Sequence, residues 1–397
     1  MTKERAMAVE PSFFLIAGEP SGDLLGGRLM AAMRELLDGK VRFQGVGGSA
    51  MLAEDLEPLF PMRDIALIGI MEILPHLPAI LRRLRETVAA IRKAKPVAVI
   101  TIDTPTFSYH LARRLKGSGI PVIHYVAPQV WAWKPGRAKK LAKVTDFLLT
   151  LLPFEPGLFE KEGLPSVAVG HPAIESGAGS GDGPSFRDRH GIPQLAPMIA
   201  MLPGSRPAET SRLLPVFGKT LSLLKARYPG LRAAVPTVEA VAEDVRAAVA
   251  AWAVPAIVVM DQQEKWDALA ASEIAVVASG TATVEVAQAG LPMVVAYRVN
   301  PVTAWLLRRM LRIRHVALVN VILGRAAIPE LLQENCNPQK LAETLVHLLQ
   351  SPTARETQKN EIRQALLQMG GGGEPPSHRA AKAILGFLKK RAEKTES

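Results

Sequence analysis

The sequence predicts an α/β protein built from two Rossmann-like domains, and three observations carry that expectation. Short apolar runs recur along the chain, each followed by a turn rich in Gly, Pro or Ser and then by a stretch of helical periodicity. This rhythm breaks at Glu175-Ser176-Gly177-Ala178-Gly179-Ser180-Gly181-Asp182-Gly183-Pro184 and restarts at Met198. A length of 397 residues with 48% hydrophobic content is enough for two sizeable cores. The expected division is a first domain over 1–175, a linker over 176–190, a second domain over 191–369, and a closing helix in 370–397 that docks on the other lobe.

Phe13 to Ala17 reads as the first buried strand, feeding Gly18-Glu19-Pro20-Ser21-Gly22-Asp23 and an amphipathic helix over Leu24 to Leu37. The turn has neither the G-x-G-x-x-G fingerprint nor the lysine of a P-loop. Glu19 and Asp23, with Ser21 between them, suit sugar hydroxyls or another polar acceptor rather than a phosphate. Val41 to Val46 and Val97 to Ile102 are further strands, the second ending in Asp103-Thr104-Pro105. A carboxylate at the carboxyl end of a parallel strand faces the crevice where such sheets bind ligands. Asp103 is therefore a general base for an attacking hydroxyl, or the N-cap of the helix that Pro105 begins, or both.

Between these strands, Ile70, Ile73, Leu74, Leu77, Ile80, Leu81 and Leu84 recur at helical spacing, and Pro75 and Pro78 are expected to divide the stretch into two short helices. With Arg82, Arg83 and Arg85 alongside, this face is either core or a surface that sinks among anionic lipid headgroups. Ile120 to Tyr125 leads into Pro128-Gln129-Val130-Trp131-Ala132-Trp133-Lys134, where Trp131 and Trp133 either cover the sheet end or meet a ligand. Phe147 to Leu152 and Ser166 to Val169 complete this half. His171 follows as a ligand-orienting or a backbone-held turn residue.

In the second half, Met198 to Met201 runs into Leu202-Pro203-Gly204-Ser205-Arg206, which sets a planar cation at a helix start, either to grip a diphosphate or as a surface arginine in an electrostatically awkward place. Leu231 to Val235, Ala256 to Val259 and Ile274 to Val277 continue the sheet. After the last of these, Ser279-Gly280-Thr281 opens a short helix, with Ser279 and Thr281 as N-cap candidates and Gly280 giving backbone access. This is either an ordinary strand-to-helix connection with a capped start, or a helix start that holds a phosphate with Glu285, one turn further in, accepting hydrogen bonds from a sugar. Met293 to Ala296 is the next strand, and Asn300 to Leu311 is an amphipathic helix carrying Trp305. Asn320, inside the apolar run Val316 to Leu323, is either a turn residue or a ligand contact.

A net charge of +11 favours anionic partners. Aromatic content of 5% and the lack of an RNA-binding signature argue against nucleic acid, although the Trp-Lys-Arg cluster keeps a nucleic-acid module as a rival reading. Cys336 is the only cysteine, so neither an intrachain disulfide nor a cysteine zinc cluster is expected. The short apolar start and the lack of a run near membrane-spanning length point to the cytoplasm.

These motifs together resemble the lipid-A-disaccharide synthase family. Gly18-Glu19-Pro20-Ser21-Gly22-Asp23, Ile102-Asp103-Thr104-Pro105, Pro128-Gln129-Val130-Trp131-Ala132-Trp133, Leu202-Pro203-Gly204-Ser205-Arg206 and Ser279-Gly280-Thr281-Ala282-Thr283-Val284-Glu285 occur in that family's order and spacing. The resemblance implies a GT-B glycosyltransferase, two Rossmann-like domains facing a cleft. It would join UDP-2,3-diacylglucosamine to 2,3-diacylglucosamine 1-phosphate (lipid X), giving a β-1,6-linked disaccharide 1-phosphate and UDP with inversion, and with no cofactor or metal required. It further implies Asp103 as base, and Arg206, Ser279, Gly280, Thr281, Glu285 and Asn320 as UDP contacts. Asn320 here follows Leu318-Val319, where the family carries Leu-Pro. Glu19, Ser21, Asp23 and Trp131 are expected around the acceptor. Acylated substrates favour the membrane reading of the Ile70 to Leu81 face, hence peripheral contact with an anionic inner-membrane surface; a homodimer is a further expectation. On the same fold, a UDP-N-acetylglucosamine 2-epimerase or a muramyl-type transferase is the alternative.

Overall fold

The computed structural model describes residues 10–65, 73–310 and 313–396. The chain divides into two compact units, residues 1–172 with 373–397, and residues 173–372.

Unit 1 alternates strands and helices in the order β1 (Ser12–Ala17), α1 (Pro20–Leu36), β2 (Arg42–Val46), α2 (Ser49–Leu52), β3 (Leu56–Pro58), α3 (Ile73–Ala94) and β4 (Ala98–Ile102). It continues with α4 (Pro105–Leu115), β5 (Val122–Tyr125), α5 (Arg137–Ala142), β6 (Phe147–Thr150), α6 (Pro156–Glu160) and β7 (Ser166–Ala168). The seven strands form one parallel sheet ordered β3-β2-β1-β4-β5-β6-β7. Leu15, in the central strand, registers with Gly45 on one side and Ile100 on the other. Phe13 to Ala17 and Ala98 to Ile102 are buried throughout, as strands covered on both faces must be. One face packs Leu25, Leu29 and Met33 of α1 against Leu15 and Ile100; the other packs Leu84 and Val88 of α3 with Phe107 and Leu111 of α4 against Phe14 and Ile16.

The proline expectation for the stretch before β4 differs from what forms. α3 is continuous from Ile73 to Ala94 with Pro78 inside it. Pro75 lies in the first turn, where a missing N–H is harmless, so Pro78 removes a single intrahelical bond from a long amphipathic helix that its packing holds in place.

Unit 2 runs α7 (Gly183–Arg189), β8 (Met198–Leu202), α8 (Pro207–Arg227), β9 (Arg232–Pro236), α9 (Ala242–Ala250), β10 (Ala256–Val259), α10 (Gln262–Ala271) and β11 (Ile274–Ala278). Then follow α11 (Ala282–Gln288), β12 (Met293–Tyr297), α12 (Pro301–Met310), α13 (Leu318–Leu323), β13 (Glu330–Leu332), α14 (Pro338–Gln350) and α15 (Pro352–Gln368). Its six parallel strands are ordered β10-β9-β8-β11-β12-β13. The closing helix α16 (Pro376–Glu396) belongs to unit 1, where Ala380, Ala381 and Ile384 join the core and Phe387 stacks on Phe147 at 4.7 Å.

Residues 176–190, expected as a linker, are instead built into unit 2. Asp182 caps α7 by accepting from Ser185 N at 3.0 Å, and Phe186 is fully buried. Arg187 donates to the carbonyls of Pro193, Ala196 and Ala271, and Arg189 pairs with Asp267 at 2.6 Å. A Cβ on Gly181 would lie 2.1 Å from the Trp266 carbonyl oxygen. The glycines that looked like flexibility here allow close backbone approach.

Candidate functional site

In a sheet of this order, ligands bind beyond the carboxyl ends of the strands where the order reverses. In unit 2 that point lies between β8 and β11. A cavity of about 420 Å3 occupies it, walled by Gly204, Ser205 and Arg206 after β8, Thr237 and Val238 after β9, and Ser279, Gly280, Thr281 and Glu285 after β11. With Gln262 and Lys265 after β10 added, four stretches far apart in sequence converge because parallel strands all deliver their following turns to one edge.

Arg206 occupies the N-cap position of α8 with its side chain 77% exposed, and Nη1 lies 3.4 Å from Glu209 Oε1. Glu209, in the first turn, complements the helix dipole and accepts from Ser205 N at 3.3 Å through Oε2. Gly204 has φ of +100°, and a Cβ there would stand 2.4 Å from Glu209 Oε2, so the turn presenting Arg206 admits only glycine.

The Glu285 carboxylate is held by Lys265, whose Nζ donates to Oε2 at 2.6 Å; both side chains are about one-fifth exposed. Sequence reasoning missed Lys265. It lies in α10, an ordinary helix by its sequence, and enters the cavity only through packing. The cavity therefore holds two cation–carboxylate pairs, Arg206 with Glu209 and Lys265 with Glu285. A ligand carrying an anionic group beside sugar hydroxyls finds donors for the one and an acceptor for the other.

The capping expectation at Ser279 and Thr281 is not met. Thr281 stands at the N-cap of α11 without a side-chain bond, and the Ser279 hydroxyl donates to Val316 O at 3.3 Å. Asn320 is also placed differently from a nucleotide contact. It is fully buried and does not line the cavity. Its Nδ2 donates to Ile328 O and Glu330 Oε1, and its Oδ1 accepts from Ile328 N, each at 2.8 Å. Glu330 in turn accepts from Ala317 N at 3.0 Å and from Val316 N at 3.2 Å. Asn320 thus fixes the segment whose Val316 carbonyl anchors Ser279, which makes it a framework residue one step removed from the cavity.

In unit 1 the order reverses between β1 and β4, so the Gly18 to Asp23 turn and Asp103 stand at the corresponding edge. Asp103 and Thr104 both adopt left-handed backbone, φ 51° and 50°, a strained pair for residues with side chains. The helix expectation is corrected in detail: Pro105 starts α4, but the N-cap is Thr104, without a side-chain bond. Asp103 is half-buried at this edge. Burial chiefly, and the neighbouring Glu19 charge in addition, push its pKa above the ordinary carboxylate range, against the Thr104 amide that lowers it. Such a carboxylate is a better proton acceptor near neutrality.

Glu19 and Ser21 are exposed at the start of α1. Asp23 is not part of that surface. It is 5% exposed, and its carboxylate accepts from the amides of Gly48, Ala50 and Met51 at 2.6, 2.9 and 3.1 Å, capping α2. The Trp131 indole donates to Glu155 Oε1 at 3.0 Å and meets Phe154 edge to face. Glu155, buried and also accepting from the Leu151 and Leu152 amides, has its pKa raised by burial against those bonds. The Trp133 ring carries Lys134 and Arg137, each 4.6 Å from its centre. Burial lowers the pKa of His171 to about 4, leaving it neutral near pH 7.

Of the apolar face, Ile70 and the side chains of Ile73 and Leu74 lie outside the described residues. Ile80 and Leu84 belong to the core, Leu81 is half-buried, and Leu77 is 46% exposed. Here α3 and α4 enclose a cavity of about 530 Å3 lined by Leu77, Ile80, Leu81 and Phe107, with Arg113 and Arg114 among its walls. Among the described residues, no cluster of three His, Cys, Asp or Glu is placed to hold a metal, and no helix is long and apolar enough to cross a membrane.

Comparison with known proteins bears on what this framework is. A family model described as lipid-A-disaccharide synthetase matches residues 13–383. A lipid-A-disaccharide synthase of Rhodospirillum centenum is 52% identical over 380 residues, 95% of each chain. One from Paramagnetospirillum magneticum is 50% identical over 384 residues, 96% of this chain and 98% of the relative. Among solved structures, a Staphylococcus aureus MnaA-UDP complex superposes with a TM-score of 0.66 at 14% identity, covering 96% of this chain and 97% of that one. Acinetobacter baumannii MurG gives 0.57 at 15% identity over 96% and 99%. At such identities the structures share the fold, two parallel-sheet Rossmann-like domains of the GT-B kind, while the sequence matches are specific over nearly the whole chain. The chain belongs to the lipid-A-disaccharide synthase family of glycosyltransferases.

Proposed function

We propose that the chain condenses UDP-2,3-diacylglucosamine with 2,3-diacylglucosamine 1-phosphate, releasing UDP and inverting the donor carbon, and that the unit 2 cavity binds the donor. The observation that carries this assignment is the meeting of Arg206, Lys265 and Glu285 at the switch point of the second sheet. In this reading the 6-hydroxyl of the acceptor attacks the anomeric carbon, the bond from that carbon to the diphosphate oxygen breaks, and Asp103 takes the hydroxyl proton. Negative charge then grows on the leaving UDP. Lys265, one-fifth exposed, and Arg206, at the open mouth of the cavity, are the donors that face that charge as it appears. Glu285, held by Lys265, accepts from the ribose hydroxyls, and Ser279, Gly280 and Thr281 offer backbone beside the phosphates.

The apolar cavity between α3 and α4, with Arg113 and Arg114, supports binding of acyl chains and contact of this unit with an anionic inner-membrane surface. The test is incubation with both acylated sugars, followed by mass spectrometry for the disaccharide phosphate and UDP. Supplying UDP-N-acetylglucosamine alone checks the epimerase alternative, which needs no acceptor. Product formation from that single sugar, without the disaccharide reaction, would overturn the assignment.

A further inference from the structure

Helix α12 exposes what a folded helix ordinarily covers. Val302 is 75% exposed, Trp305 55% and Met310 36%. Val302, Trp305 and Arg309 follow at spacings of three and four and so share one face, and the Arg309 guanidinium sits 3.9 Å from the centre of the Trp305 ring. Trp305 also lines a cavity of about 670 Å3, whose apolar walls include Pro215, Val216 and Ala304. Three cations, Arg212, Lys219 and Arg298, line the same cavity, with Glu334 as the acidic group among them.

We propose that this face of unit 2, α12 with the cavity beside it, is a membrane-contact surface that seats on anionic phospholipid. A half-exposed tryptophan overlaid by an arginine places an amphipathic ring and a cation together, the combination that anchors at the boundary between headgroups and acyl chains. Charge complementarity selects the occupant: Arg212, Lys219, Arg298 and Arg309 outnumber Glu334, and the chain carries +11 overall. A zwitterionic surface would offer those cations no net counter-charge, and a small soluble phosphate would leave Val302 and Trp305 in water. This surface deepens the membrane association proposed for unit 1 and uses none of its residues.

The test uses the full chain with Val302→Cys labelled by an NBD fluorophore. Cys336 is fully buried, which directs the label to position 302. On phosphatidylcholine vesicles containing phosphatidylglycerol, the emission rises and moves to the blue; on phosphatidylcholine alone, or with soluble glycerol phosphate, it stays unchanged. In co-sedimentation with the anionic vesicles, Arg309→Ser lowers the partition coefficient about fivefold, the effect of one cation near such a surface. A silent label on vesicles that still sediment the chain would overturn this surface and leave the unit 1 contact standing. No sedimentation at all would overturn both. A blue shift that grows with protein concentration in the absence of vesicles would instead show a second copy on α12 and would equally overturn the proposal.

Discussion

Asn320 separates a framework role from a ligand role, and Asn320→Ala measures which one holds. Its amide makes three hydrogen bonds of 2.8 Å in a fully buried site. Glu330 keeps the amides of Val316 and Ala317 when the side chain is cut back, whereas the Ile328 N–H and C=O both lose this partner. Two buried backbone groups left unpaired at ~1–3 kcal/mol each give a loss of roughly 4 kcal/mol. For a unit of this size, ~2–4 °C per kcal/mol puts the fall in Tm of unit 2 at roughly 10 °C. Differential scanning calorimetry reads that fall, and isothermal titration reads UDP affinity on the same samples at a temperature where the variant is folded. Affinity is expected to stay within about threefold, under 1 kcal/mol, since the side chain reaches the cavity only through Val316 and Ser279. An unchanged Tm with a tenfold or greater loss of UDP affinity would refute the framework assignment.

Asp103→Asn is expected to cut turnover by roughly a hundredfold or more while sparing UDP affinity, as loss of a general base does. It is also expected to raise Tm at neutral pH. A carboxyl whose pKa is raised in the folded state favours folding below its unfolded pKa and loses that contribution as pH rises through the folded value, so above the unfolded pKa its burial is a burden that asparagine removes. Asparagine additionally tolerates the left-handed φ of 51°. Arg206→Ala should weaken UDP binding by about ten- to a hundredfold with Tm unchanged, because its contact with Glu209 is solvent-exposed; calorimetric titration checks both. His124 and His171 both have pKa values lowered from 6.5 to about 4 by burial, so the unfolded chain binds more protons than the folded one between those values. Unit 1 should therefore hold its full stability above pH 6.5 and lose it as pH falls toward 4, by roughly 3 kcal/mol per histidine, visible as a falling Tm that His171→Asn makes shallower.

The alternation of apolar runs with Gly, Pro and Ser turns was sufficient to place most strands and the two-domain class, because a strand buried on both faces must be continuously apolar whatever its neighbours. β3 and β13 escaped notice: each has only three residues and at least one exposed or half-buried position, so neither leaves a run to detect. The Arg206, Ser279 to Thr281, and Asp103 turns were also legible, since a turn at the end of a parallel strand keeps its position at the sheet edge. What lies beside such a turn is a different matter. Asp23 shares its motif with Glu19, yet α1 rotates it inward onto α2, and Asn320 carries a ligand-like polarity that Ile328 and Glu330 consume within the fold.

The linker reading failed for a related reason. Glycine signals either freedom or close approach, and only the position of Trp266 against Gly181 distinguishes them. Lys265 is the converse case, a helical lysine that packing alone sets 2.6 Å from Glu285. Sequence by itself determined most of the elements, their class and the turns that end them, because those depend on local chemistry and burial pattern. Tertiary structure decided which side chains share a cavity, which polar groups satisfy one another, and which glycines are crowded, because each of these depends on distances between segments that the linear order does not contain.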